Sequence, residues 1–184
     1  MTNVIGTVPN ICTYQAVNRS YSPLKPIFFA AALMAAGPAS AERLIDPLRF
    51  FEGRTESLST VKVVLKKPFL SKSIGSGEIR SDGSLYLVQR VEDDGKPPHD
   101  RRWHIRQTGP KTFTGTMTEA RGPVVVEEID GRYRFRFKMK GNLSVEQWVI
   151  PTDGGKSAKS KVTIRKLGVT VASSEGTIRR LANN

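Results

Sequence analysis

The chain has 184 residues, with 29 Lys and Arg against 17 Asp and Glu, which gives a formal net charge of +12. A balance this basic predicts attraction to polyanions. The single cysteine, Cys12, lies near the start, so the rest of the chain cannot use a disulfide, a thiol nucleophile or a cysteine metal ligand.

Residues 1–41 have the features of a secretory leader. Arg19 and Lys25 give a basic start with no acidic residue, residues 27–36 form a short apolar run, and the small residues at 39–41 make a cleavage site. The apolar run has about half the length of a bilayer-spanning helix, and no later run is long enough. The sequence therefore predicts a leader and no transmembrane segment.

Cleavage after Ala41 would release residues 42–184 as a periplasmic or secreted protein. This product carries 27 basic and 17 acidic residues, a net charge of +10 on 143 residues, which is a length typical of one domain. Residues 1–16 are uncharged and largely polar, which fits a leader poorly, so we expect translation to start at Val17. The polyanions outside the cytoplasm are mainly lipid headgroups, surface glycolipids and DNA.

Short alternating segments follow one helical turn that Asp46 and Pro47 could cap. Turn signals interrupt them roughly every eight to twelve residues, the spacing of an antiparallel sandwich or barrel. The predicted strands are 53–65, 69–80, 84–92, 101–107, 112–120, 124–129, 132–140, 143–150, 159–166 and 169–179.

Tight turns join neighbouring strands and predict an up-and-down antiparallel meander. Asp82-Gly83, Asp130-Gly131 and Gly141-Asn142 are hairpin dipeptides in which positive φ is readily adopted. An open meander would leave two exposed edges, and closure removes both. We therefore expect an all-β barrel of about eight to ten strands, with an interior that is filled by side chains or holds one small ligand.

The stretch RYRFRFKMK, residues 132–140, alternates cations with rings and predicts which face of the sheet is buried. A two-residue turn at Asp130-Gly131 pairs Glu127 with Arg134 and Val126 with Phe135. The predicted interior side chains of this strand are Tyr133, Phe135, Phe137 and Met139, and the predicted basic surface is Arg134, Arg136 and Lys138. Nucleic-acid binding is disfavoured, because it needs cations and rings on the same accessible surface.

Two tryptophans, Trp103 and Trp148, are candidates for the interior, where each could contact a ligand or fill the core. The position of Trp148 depends on the Gly141-Asn142 turn. A two-residue turn places Trp148 opposite Phe135, on the buried face. A three-residue turn places Trp148 opposite Arg136 instead. The predicted polar anchors for a ligand are Arg102 and Glu146.

The two histidines give no sign of a metal or catalytic site. His99 and His104 are five residues apart, so strand parity sends them to opposite faces. Further metal ligands at matched spacing are missing, and no nucleophile accompanies a general base. Asp93, Asp94 and Asp100 flank a proline loop and are interpreted as a solvated turn. The sequence thus predicts no metal, no cofactor and no catalytic residue.

A series of short motifs runs from residue 50 to residue 181. They are Phe50-Phe51-Glu52-Gly53, Glu92-Asp93-Asp94-Gly95, Arg101-Arg102-Trp103-His104, Phe113-Thr114-Gly115, Gly122-Pro123, Glu146-Gln147-Trp148, Lys166 with Gly168, and Glu175-Gly176. Their order and spacing resemble the bacterial family called domain of unknown function 3833. The resemblance implies a lipocalin-like (calycin) β-barrel in the cell envelope and no established activity. The chain departs from the family in having Glu146-Gln147 where two aspartates are usual, and in lacking a lipoprotein cysteine.

Three functions remain open at the level of sequence. The first is binding of a small apolar or amphipathic, lipid-like ligand inside the barrel. The second is a non-enzymatic envelope protein whose basic outer surface contacts anionic lipids or glycolipids. The third is an enzyme acting on a lipid-like substrate, which is the least favoured because no catalytic group is nominated.

Overall fold

The computed structural model describes residues 46–182. The predicted leader, its cleavage site and the proposed start at Val17 lie outside the described residues. The described part of the chain contains no helix with the length and hydropathy needed to span a bilayer.

One helical turn precedes ten strands that close into a barrel. The elements are α1 (Pro47–Phe50), β1 (Gly53–Val63), β2 (Phe69–Ile79), β3 (Leu85–Asp93), β4 (His99–Gly109), β5 (Thr112–Met117), β6 (Val124–Ile129), β7 (Arg132–Met139), β8 (Leu143–Thr152), a 3-10 turn (Asp153–Gly155), β9 (Ser157–Lys166) and β10 (Val169–Arg180). Every strand pairs antiparallel with its sequence neighbours, and β1 also pairs with β10. The predicted closed meander is therefore confirmed.

Closure leaves the two ends of the barrel different from each other. The connections β1–β2, β3–β4, β5–β6, β7–β8 and β9–β10 all lie at one end, which we call the mouth. The chain enters at the opposite end, which we call the closed end, through α1. There the Asp46 side chain accepts a hydrogen bond from the Leu48 amide at 2.9 Å, and Pro47 begins the turn. This cap directs the buried Leu48 and Phe50 into the barrel end.

A close backbone approach at Gly77 holds the residue after α1 against the wall. A Cβ added to Gly77 would lie 1.9 Å from the Phe51 carbonyl oxygen, so no larger residue fits without a shift. Phe51 is thereby fixed across the barrel interior, where its ring packs edge-on against Phe50 with the centroids 5.0 Å apart.

The β6–β7 hairpin has the predicted register and the predicted buried face. Its two turn residues, Asp130 and Gly131, have φ values of 50° and 72°. Glu127 lies opposite Arg134, and Val126 lies opposite Phe135. Val126 is 1% exposed and Phe135 is 4% exposed, so the apolar face is the inner one.

The β7–β8 hairpin differs from both registers that were considered. The loop between the paired Met139 and Leu143 contains Lys140 in addition to the Gly141-Asn142 dipeptide. Because the extra residue comes from the end of β7, Trp148 lies opposite Arg134. The prediction that Trp148 lies inside the barrel is therefore wrong. The Trp148 ring is half-buried on the outer face, where the guanidinium carbons of Arg132 and Arg134 lie 5.4 Å and 5.6 Å from its centroid.

Candidate functional site

The barrel encloses a cavity of about 490 Å³. Phe51 forms its floor above the closed end, and Phe69 and Lys96 line it at the mouth. This volume lies within the range of roughly 300–1,000 Å³ that small-molecule sites occupy. The barrel is therefore filled by side chains at one end only.

Two aromatic side chains, one from β4 and one from β7, face the cavity on one side of the barrel. Trp103 and Phe135 line the cavity, and Phe137 packs behind them. The Trp103 ring meets Phe135 and Phe137 edge-on, at centroid distances of 6.3 Å and 5.9 Å. Edge-on contacts between rings fix their orientation, so this ring wall (Trp103, Phe135, Phe137) is a rigid apolar surface.

Serines alternate with apolar residues such as Val61 and Val162 on the side of the cavity contributed by β9, β10, β1 and β2. In the closed strand order these four strands lie directly across the barrel from β4 to β7. Serine is small, so a ring on one side and a hydroxyl on the other leave space between them. We call the six serines that line the cavity on this side the serine wall; they are Ser57, Ser59, Ser71, Ser73, Ser160 and Ser174.

A glutamine lies at each of the two seams between these walls. On β3, Gln89 accepts a hydrogen bond through Oε1 from the Trp103 indole nitrogen at 2.7 Å. On β8, Gln147 donates from Nε2 to the Ser160 hydroxyl at 3.0 Å. An amide can donate and accept at once, so each seam keeps hydrogen-bonding capacity next to an apolar surface.

Charged side chains line the cavity near the mouth in mutually neutralising pairs. Arg101 donates to Glu119 through both Nε and a terminal nitrogen, and His99 Nε2 lies 3.1 Å from the same carboxylate. Lys96 lies 2.8 Å from Asp93 and 4.5 Å from the Phe69 ring centroid. Both acids have cationic partners, so the cavity presents polar groups but no isolated charge.

The Asp93 carboxyl is held in its charged form despite partial burial. Burial is the largest single influence and pushes its pKa upward, but hydrogen bonds from Lys96 and Ser71 and the charge of Lys96 outweigh it together. The net effect is a pKa below the usual value. The Asp93–Lys96 pair therefore persists at neutral pH.

The structure places most of the predicted interior residues at or near the cavity. Trp103, Phe135 and Met139 line it, and Phe137 is partly buried against the core. Tyr133 is 1% exposed and belongs to the packed closed end, not to the cavity lining. Burial raises the pKa of the Tyr133 phenol to about 12, with further contributions from the nearby Glu128 and Asp46 charges.

The two predicted polar anchors face outward, and both predictions are wrong by one strand position. Arg102 is exposed, 3.9 Å from Asp100, and Glu146 lies opposite Arg136 and accepts a hydrogen bond from the Trp148 indole. Their strand neighbours Arg101 and Gln147 line the cavity instead. Consecutive strand residues face opposite sides, so once Trp103 is placed inside, Arg102 must lie outside and Arg101 inside. That signal was present in the sequence.

The predicted basic surface on β7 is largely neutralised. Arg134 and Arg136 each place a guanidinium nitrogen 2.9 Å from the same Glu127 carboxylate oxygen, and Lys138 is exposed beside them. The Arg134 hydrogen bond is the main cause that holds the Glu127 pKa below its usual value. This face therefore carries less free positive charge than its sequence suggests.

His99 and His104 point to opposite sides of the sheet, as strand parity predicts. His99 lies in the cavity lining, whereas His104 is exposed on the outer face, 3.1 Å from the Ser84 hydroxyl. Within residues 46–182, no three His, Cys, Asp or Glu side chains are grouped so as to hold a metal ion.

The fold has relatives among solved structures. No family model matches the chain, and no curated protein matches it. An S-type phycobiliprotein lyase, CPES, from Guillardia theta superimposes with a TM-score of 0.61 and 9% identity, over 74% of this chain and 92% of the lyase. A protein of unknown function from the DUF3598 family of Nostoc punctiforme gives a TM-score of 0.56 and 10% identity, over 74% of this chain and 50% of that protein. At this identity the likeness shows the fold alone, which is a lipocalin-like β-barrel.

Proposed function

We propose that this protein binds one small amphipathic, lipid-like molecule inside its barrel. The observation that carries the proposal is the cavity of about 490 Å³ between the ring wall and the serine wall. A barrel whose role was only structural would gain stability by filling this space, because interior voids lose packing contacts. The unfilled cavity is explained if the interior side chains serve to bind a ligand instead of maximising the stability of the fold.

The two walls specify the chemistry of the ligand. Its apolar body would lie against Trp103 and Phe135, and its hydroxyl, carbonyl or amide groups would face the serines and the seam amides of Gln89 and Gln147. Apolar sites with a few placed polar groups are typical of small-molecule pockets. Because Asp93 and Glu119 have cationic partners, the ligand needs no compensating charge near the mouth of the cavity.

The cellular location in which the protein would meet such a ligand is inferred from the sequence alone. Export after cleavage at Ala41 and membership of the domain of unknown function 3833 family stay predictions. A periplasmic or secreted barrel would bind lipid-like molecules of the envelope. The interior supplies binding groups and no nucleophile paired with a base among the described residues, so we propose binding without catalysis.

Native mass spectrometry of the purified protein tests the proposal directly, together with titration of a fluorescent fatty acid. We expect a co-purifying small molecule or saturable binding of the probe. The variant Ser73→Phe fills the cavity from the serine wall and should weaken probe binding by at least about tenfold. Ser76→Phe is the matched control, because Ser76 is exposed on the same strand. Equal binding by both variants, or no binding by the parent, would overturn the proposal.

The two tryptophans report separately on the inside and the outside of the barrel. Trp103 lines the cavity, whereas Trp148 lies between two arginines on the outer face. A ligand in the cavity should therefore change the emission of a Trp148→Phe variant and leave that of a Trp103→Phe variant nearly constant. The reverse pattern would assign the probe to the outer surface.

A further inference from the structure

Two leucines stand at hairpin tips where neither packing nor turn preference accounts for them. Leu65, between β1 and β2, is 101% exposed, and Leu167, between β9 and β10, is 82% exposed. Their φ values are 62° and 49°, a left-handed backbone that bulky residues adopt at a cost. Glycine, asparagine or aspartate would form these turns more favourably and would not expose apolar surface.

The two tips are neighbours at the mouth. β1 pairs with β10, with Val63 opposite Ala172, and the Val64 amide donates to the Val171 carbonyl at 3.0 Å. Each leucine has an exposed valine beside it: Val64 is 58% exposed and Val169 is 67% exposed. We call these four residues the apolar rim; they are Val64, Leu65, Leu167 and Val169. Clustered exposed apolar side chains mark interaction sites, whereas single ones do not.

Every charged residue in the two segments that carry the apolar rim is basic. Residues 61–70 and 162–171 contain no aspartate or glutamate. None of their cations forms an ion pair with another residue in the range 46–182, unlike Arg134 and Arg136 on β7. The cations are Lys62, Lys66, Lys67, Arg165 and Lys166.

We propose that the apolar rim docks on the surface of a bilayer that contains anionic lipids. The leucines would enter the boundary between headgroups and acyl chains, and the lysines around them would lie at the level of the phosphates. Apolar tips surrounded by unpaired cations fit this partner, because interfacial binding combines buried apolar area with attraction to anionic headgroups. The mouth of the cavity then faces the membrane.

Docking goes beyond ligand binding and does not depend on it. The Ser73→Phe variant, whose cavity is filled, should bind vesicles as the parent does. Failure of the ligand proposal would therefore leave docking intact, and failure of docking would leave the cavity as a binding site reached from water.

Co-sedimentation with vesicles of phosphatidylcholine and phosphatidylglycerol tests the apolar part. The double variant Leu65→Ser with Leu167→Ser should bind about tenfold more weakly than the parent, because interfacial affinity follows the buried apolar area. Leu58→Ser is the matched control, since Leu58 is 51% exposed on the outer wall away from the tips. The variants differ from the parent only at the substituted residues, so differences in binding report on those residues.

A charge reversal tests the basic part. Lys66→Glu with Lys67→Glu should lower affinity by about 25-fold or more, since each lysine near an anionic surface contributes about fivefold. Lys156→Glu with Lys159→Glu changes the net charge equally near the closed end and should have a much smaller effect.

Three outcomes would overturn docking through the rim. Equal losses from the two charge reversals would mean attraction by net charge alone. Loss of binding in Leu58→Ser equal to that of the leucine double variant would remove the role of the tips. Concentration-dependent dimerisation in sedimentation velocity, abolished by the leucine double variant and without vesicle binding, would assign the rim to a second copy of the chain.

Discussion

The closed end and the mouth of the barrel use the same alternation of inward and outward residues for opposite purposes. At the closed end, inward side chains such as Phe50 and Tyr133 are at most 1% exposed and belong to one buried apolar cluster. Between the closed end and the mouth, β1 and β2 carry serines at inward positions, and the rings of Trp103 and Phe135 face the cavity. One end is a packed core, and the other is a chamber.

The difference shows that strand pairing and core packing are separable in a barrel. Hydrogen bonds between strands hold the wall along its whole circumference, including the part where the interior is empty. Packing at the closed end supplies the apolar burial that stabilises the fold. Side chains at the mouth are therefore not needed for core packing, and this end of the barrel can bind a ligand or contact another surface.

The largest test of this comparison is truncation of a ring at each end. Phe50→Ala removes a fully buried ring and should lower the free energy of unfolding by about 4 kcal/mol. Phe69→Ala, at the partly exposed mouth, should cost about 1 kcal/mol. Urea unfolding of both variants measures this, and similar losses would show that the mouth is also part of the core.

A methyl group at Gly77 tests how tightly the closed end is built. Gly77→Ala places a Cβ against the Phe51 carbonyl oxygen, and the backbone shift this requires should cost about 3 kcal/mol. The neighbouring exposed position serves as control, and Ser76→Ala should change stability by less than about 0.5 kcal/mol. If Gly77→Ala left the free energy of unfolding unchanged, the backbone that follows α1 would be able to shift away from β2.

Tyr133 makes the closed end sensitive to alkali. Its pKa is about 12 in the folded protein, against about 10 in an unfolded chain. Between these values the unfolded chain releases the phenolic proton while the native state retains it, so stability falls as pH rises, by on the order of 2 kcal/mol. Tyr133→Phe should lose this part of the decline in unfolding experiments between pH 9 and 12. Tyr86→Phe, on the exposed outer face, should keep it.

The smallest expected effect concerns Glu127 on the outer face. Its pKa is lowered by Arg134, so its stabilising contribution is present above the unfolded pKa of about 4.3 and is lost as pH falls through the folded pKa. Because the pair is partly exposed, Glu127→Gln should cost less than about 1 kcal/mol at pH 7 and almost nothing near pH 2.

The same variant compares the β7 face with the mouth as a membrane-contact surface. Glu127→Gln frees Arg134 and Arg136 from their shared carboxylate. If the rim is the contact surface, vesicle affinity should rise by no more than about twofold. A rise of tenfold or more would move the contact to β7.

The sequence by itself determined the strands, because the signals that define them are local. Alternation at residues 132–140 and the Asp130-Gly131 turn were enough to set the register of β6 and β7 and the inner face of Phe135. Ten predicted strands with short connections also implied closure, since an open meander leaves two edges unpaired. Each of these inferences uses residues that are neighbours in the chain.

The tertiary structure decided which polar groups share the interior with the predicted rings and how much space is left between them. One additional residue in the β7–β8 loop moves Trp148 to the outside and Gln147 to the inside, because strand side chains alternate with a period of two. The inward position of Arg101 could have been predicted from its strand parity with Trp103. The arrangement of serines opposite the rings could not, since the serines of β1 and β2 and the rings of β4 and β7 lie far apart in the sequence. The empty volume and the adjacency of the two hairpins that carry Leu65 and Leu167 arise only when the barrel closes, because β1 and β10 pair across a long stretch of chain.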